Sequence, residues 1–135
     1  KQVAEFIEWC KEQPFYENTT IVITGDHPRM DSSLVADLDW IDRAVYDCYI
    51  NVPESVSDKL TTKTRQSMAF DVLPTTLAAM GYNIEGNRLG LGTNLFSTNP
   101  TLMEELGLDN VETELRTHSD YYLKTFAPEL VNDEE

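Results

Sequence analysis

Thr19-Thr20-Ile21-Val22-Ile23-Thr24-Gly25-Asp26-His27 is the stretch on which the fold turns. Three consecutive β-branched apolar residues between threonines predict a short strand buried on both faces, the pattern of a central parallel strand. Gly25 ends it, because glycine takes backbone angles closed to other residues and lets the chain turn sharply. Asp26 and His27 then fall just past the strand's carboxyl end, the edge where open α/β sheets hold ligands. A carboxylate oxygen beside an imidazole nitrogen suits a divalent ion such as zinc or manganese, and two adjacent donors leave room for others from elsewhere. On these residues alone a second reading stands beside it: Asp26 caps a following turn, and His27 is a surface histidine ahead of Pro28.

Upstream, Val3, Phe6, Ile7 and Cys10 recur at the spacing of an amphipathic helix over residues 1–13, which Pro14 closes. Helix, short loop, strand is the rhythm of a layered α/β protein. Downstream, Asp31, Asp37, Asp39 and Asp42 raise the question of a calcium loop. The EF-hand template wants a glycine at its sharp turn, and Trp40-Ile41 stands there instead, so a solvated acidic loop is the reading. Arg29 lies close enough to His27 to meet an anionic substrate, or is simply a surface cation. Residues 44–52 alternate as a second strand, with Cys48, Tyr46, Ile50 and Val52 on one face and Pro53 closing.

The polar stretch 54–67 predicts an exposed connection with a short turn of helix. Residues 70–81 carry their own start and stop: Asp71 to cap, Pro74 in the first turn, Gly81 to end. Val72, Leu73, Leu77 and Met80 form the expected buried stripe, and the segment is given no chemistry. The glycine-rich run 84–97 lacks the preceding strand, the following helix and the Lys-Ser/Thr pair of a phosphate-binding loop, so it reads as a tight surface turn. A short helix over 101–107 and a longer one over 109–126 follow, with Val111, Leu115, Tyr122 and Leu123 partly in register. His118 reads as a surface residue, and the tail 132–135 is expected to fray.

The chain has 135 residues, enough for one domain with a core. Ten Lys and Arg against 24 Asp and Glu give a formal charge of −14, which argues against nucleic acid and against passive adhesion to anionic lipid. No apolar run reaches membrane-spanning length. Cys10 and Cys48 fit neither a zinc-ligand spacing nor a redox pair; both read as small buried hydrophobes, and spacing leaves open whether they pair. The chain opens at Lys1 inside a helical pattern, which predicts a piece of something longer.

Three separated motifs together resemble the C-terminal part of the sulfatase-like branch of the alkaline phosphatase superfamily, closest to lipoteichoic acid synthases and phosphoglycerol transferases. They are residues 18–27, then Phe70-Asp71-Val72-Leu73-Pro74-Thr75, then Gly86-Asn87-Arg88-Leu89-Gly90-Leu91-Gly92 with Leu95-Phe96-Ser97. Their order and spacing across residues 1–107 make the resemblance specific. It implies an incomplete α/β fold, the C-terminal portion of an alkaline-phosphatase-like layered fold, with helices packed on a small sheet. Residues 1–107 would be that part of the catalytic domain, and 108–135 a helical extension with an acidic tail.

The resemblance further implies that Asp26 and His27 bind one divalent metal, manganese or zinc with magnesium also possible, and that Arg29 touches substrate. The threonine nucleophile, the remaining acidic ligand and the other substrate-binding residues would lie before Lys1, leaving this piece inactive alone. Two-metal relatives place another histidine shortly after the motif; here none follows until His118, which favours the single-metal type. The implied reaction moves a phosphoglycerol or related group through a phosphothreonine, at the extracytoplasmic face of the cell membrane. The substrate would be an anionic phospholipid head group or a phosphoglycerol polymer. Sulfate-ester hydrolysis and a non-catalytic extracellular binding or scaffold module are the alternatives. The upstream half of the domain would be the natural partner of the apolar edges, and without it self-association is expected.

Overall fold

The computed structural model describes residues 1–27, 44–57 and 65–130. Arg29 and the acidic positions Asp31, Asp37, Asp39 and Asp42 lie outside the described residues, as does the tail after Leu130. The described chain mixes helices with two small sheets, each two-stranded and antiparallel.

Helix α1 (Gln2–Lys11) buries Ile7 and Cys10, as its periodicity predicts, but Val3 and Phe6 on the same stripe stay exposed. Phe6 instead stacks on Trp9, with ring centroids 5.9 Å apart, and Trp9 meets Phe15 at 6.1 Å. Strand β1 (Ile21–Thr24) pairs with β2 (Asp47–Ile50) in the register Ile21 to Ile50 through Thr24 to Asp47. The pairing is antiparallel, which corrects the parallel expectation. Ile21, Val22 and Ile23 are half-buried, so the run of β-branched residues reports strand propensity here without burial on both faces.

Asn51 joins this sheet to the turn after α1. It adopts φ +59°, in the left-handed region that asparagine tolerates. From there its Nδ2 donates to the carbonyls of Tyr16 (2.6 Å) and Thr19 (2.9 Å), while its own carbonyl accepts from the Thr20 hydroxyl. One side chain thus fixes where β1 begins.

After the short helix α2 (Glu54–Ser57), a 3-10 turn at Ala69–Asp71 leads into α3 (Val72–Ala79), and Gly81 follows at φ +88°. The helix is where the sequence expected it, but the expected stripe is wrong: Pro74, Thr75, Ala78 and Ala79 are buried, whereas Leu73 and Met80 are exposed. Small residues face inward because the hairpin β3 (Arg88–Leu89) and β4 (Gly92–Thr93) approaches closely on that side. A Cβ on Gly92 would stand 2.0 Å from the Phe70 carbonyl oxygen and 2.9 Å from Pro74 Cγ. The glycine-rich run is a surface turn only in its first half: Gly86, Leu89, Gly90 and Leu91 are exposed, whereas Gly92, Thr93, Asn94, Phe96 and Ser97 are buried.

The centre of the core is Ala78, Ala79 and Phe96, with Tyr49, Val52 and Val56 packed against it. Tyr49 meets Phe96 edge-on at 5.5 Å, which ties the first sheet to the second half of the chain. Helix α4 (Leu102–Leu106) is capped by Thr101 and Glu104, which each accept the other's backbone N–H, at 3.1 and 2.9 Å. The long helix expected over 109–126 is two helices, α5 (Leu108–Arg116) and α6 (Asp120–Phe126). Ser119 caps the second by accepting Tyr122 N–H at 3.2 Å, a stop and restart that apolar spacing does not reveal.

Candidate metal centre

Asp26 and His27 leave β1 at its carboxyl end, and three contacts hold that end in place. The Thr24 hydroxyl donates to the Asp47 carboxylate across the strand pair, and the N–H of Gly25 donates to the carbonyl of Tyr46 at 3.2 Å. Gly25 itself is not in the left-handed region. Its role is clearance, because a Cβ there would meet Val45 Cβ at 3.0 Å and push the two segments apart.

From this rim the two side chains turn toward each other. Asp26 Oδ1 accepts the backbone N–H of His27 at 2.9 Å, and Asp26 Oδ2 lies 3.3 Å from His27 Nε2. Two donors bound about 2.1 Å from a tetrahedral ion stand about 3.4 Å apart, so this separation suits two ligands on one cation as well as a direct ion pair. Both side chains are open to approach, 87% exposed for Asp26 and 54% for His27. His27 also lines a cleft of ≈ 340 Å³ with Ile23, Gly25, Val45 and Tyr46. An oxygen and an imidazole nitrogen fit zinc or manganese. Among the described residues no third acidic, histidine or cysteine side chain joins them.

The same donor pair recurs at His118 and Asp120, 3.2 Å apart and both exposed. Separation alone does not mark a metal centre. The difference is support: His118 stands in the connection between α5 and α6, whereas His27 follows a strand fastened to its neighbour by side-chain and backbone bonds. The surface reading of His118 agrees with its exposure.

The other two motifs form one buried bracket. Asp71 is fully buried, and its carboxylate accepts N–H groups from Met68 (2.9 Å) and Thr93 (2.7 Å). Burial pushes its carboxyl above the usual aspartate range, against the pull of those two amides and of Arg65. The Thr75 hydroxyl donates to the Asp71 carbonyl at 2.6 Å and accepts the Leu95 N–H at 3.0 Å. Asp71 does not cap the first amides of α3, as its place in the sequence suggested; its carboxylate instead reaches back to Met68 at the start of the 3-10 turn and across to the hairpin.

Arg65 carries the largest set of contacts that the sequence hid. Its guanidinium donates to the carbonyls of Leu95, Ser97 and Asn99 and forks onto both oxygens of Glu104. The Glu104 carboxyl is held below the usual range, chiefly by those hydrogen bonds from Arg65. No local pattern distinguishes a lone arginine at the end of a polar connection from a solvated one.

No family model, curated protein or solved structure matches this chain. The functional reading therefore rests on the motifs and on the arrangement of their side chains.

Proposed function

We propose that this chain is the C-terminal part of a metal-dependent phosphoglycerol, or related phospho-group, transferase whose threonine nucleophile lies upstream of Lys1. The observation that carries the reading is the convergence of Asp26 Oδ2 and His27 Nε2 to 3.3 Å at the end of β1. Asp26 supplies the anionic oxygen and His27 the neutral nitrogen of a cage that upstream residues complete. A divalent manganese or zinc ion held there supplies Lewis acidity to the phosphoryl oxygens and to the nucleophilic hydroxyl. Gly25 keeps the two donors close against the sheet, and the Thr24–Asp47 bond fixes the strand end from which they project. The bracket built on Asp71, Thr75 and Gly92 holds the remaining motifs in one body without touching substrate.

On this reading the partner of the chain is the upstream half of its own domain, and the site faces outward from the cell membrane. Among the described residues no helix is long and apolar enough to cross a membrane. The test is activity. The chain alone turns over no phosphoglycerol donor. The protein extended through its upstream half does, and loses about 100-fold or more in rate when Asp26 or His27 becomes Ala. Undiminished transfer by both variants removes the two residues from the site.

A further inference from the structure

Away from β1, a cleft of ≈ 490 Å³ is lined by α2, the end of α3 with the turn after it, and the segments flanking the hairpin, within the range of about 300–1,000 Å³ that small-molecule sites occupy. Its chemistry is selective. The chain carries 10 basic and 24 acidic residues, yet among the described residues none of them lines this cleft. Its lining combines the apolar Ala78 and Phe96 with the carboxamide residues Asn83, Asn87 and Asn94 and the hydroxyl residue Thr98.

The carboxamides are oriented. Asn94 is nearly buried; its Oδ1 accepts the Phe96 N–H at 3.0 Å and its Nδ2 donates to Asn87 Oδ1 at 3.1 Å. That bond occupies the oxygen of Asn87 and leaves its Nδ2, with both hydrogens, without a partner among the described residues. Asn87 is held at φ +55°, an uncommon conformation outside glycine, and its N–H and carbonyl are both bonded within the fold, to Ile84 and Asn94. A fixed amide donor, further amides and a hydroxyl beside apolar residues, with no charged side chain among the described lining residues, match a molecule that has hydroxyls on its rim and C–H groups on its face. We infer that this cleft is a binding site for a neutral sugar ring, with Asn87 Nδ2 as its principal hydrogen-bond donor.

Amide-resolved NMR titration of the chain with methyl glucoside and, separately, with N-acetylglucosamine tests this. At least one of the two should shift the signals of Asn87, Asn94 and Thr98 saturably in the millimolar range, and inorganic phosphate should not. Asn87→Gly keeps the left-handed backbone and deletes the carboxamide, and should weaken sugar binding about fivefold. Thr98→Val, on the exposed rim, should weaken it about threefold and serves if the first variant fails to fold. Absence of saturable shifts with both sugars overturns the assignment. So does unchanged affinity in the folded variants, or phosphate occupying the cleft in preference to sugar.

Discussion

The carboxylate of Asp71 accepts the backbone N–H of Thr93 at 2.7 Å, and both residues are fully buried. Twenty-two positions apart in sequence, they join the entry of α3 to the inner strand of the hairpin. The same carboxylate takes the Met68 N–H, so a single side chain satisfies two interior donors.

Removing it strands both. Asp71→Ala should cost about 3 kcal/mol, since two buried N–H groups lose their acceptor together. Asp71→Asn keeps one oxygen and should cost less. Urea or guanidinium unfolding of the three proteins measures the order; equal stability of Asp71→Ala and the parent chain would contradict the bracket.

Gly92 and Gly90 sit in the same hairpin and should respond differently to alanine. At Gly92 the new methyl collides with rigid backbone at Phe70 and with the Pro74 ring, and the loss should exceed about 3 kcal/mol or prevent folding. At Gly90 the space is open and only the φ of +59° resists, so about 1 kcal/mol is expected. Thermal melts of the two variants distinguish close approach from backbone strain.

Acidification should weaken the Arg65–Glu104 latch. The folded-state value of Glu104 lies below its unfolded value near 4.5, so the unfolded chain takes up the proton first. The stabilisation is therefore present above that pH and is lost as pH falls through the folded value. Asp71, pushed up by burial, works in the opposite sense and favours the folded state as it protonates. Comparison with Glu104→Gln isolates the first effect: the stability gap between the two proteins should narrow on descending below pH 4.5. A gap independent of pH would refute the latch.

What could be read from the sequence follows how local each cause is. The helices over 72–79 and 102–106 are legible because their stops, Gly81 and Gly107, are short-range chemistry; the Thr101–Glu104 cap emerges only from the structure. The direction of the β1 pairing was not, because Ile21-Val22-Ile23 suits either partner orientation and β2 decides it. The inward stripe of α3 was misread because volume at the hairpin contact, set by Gly92, overrides hydrophobic period and selects Ala78, Ala79 and Thr75 over Leu73 and Met80. At the candidate centre the pairing of Asp26 with His27 was legible from adjacency. The reason for Gly25 was not, since Val45 arrives from the far side of the strand pair.

The metal assignment is tested most directly by the metal content of the purified protein, extended through the upstream half that the proposed function assigns to it, compared among the parent, Asp26→Ala, His27→Ala and His118→Ala. About one manganese or zinc per chain is expected in the parent and in His118→Ala, and at least tenfold weaker retention in the other two. Equal metal in all four proteins, or loss at His118 in place of His27, would contradict it.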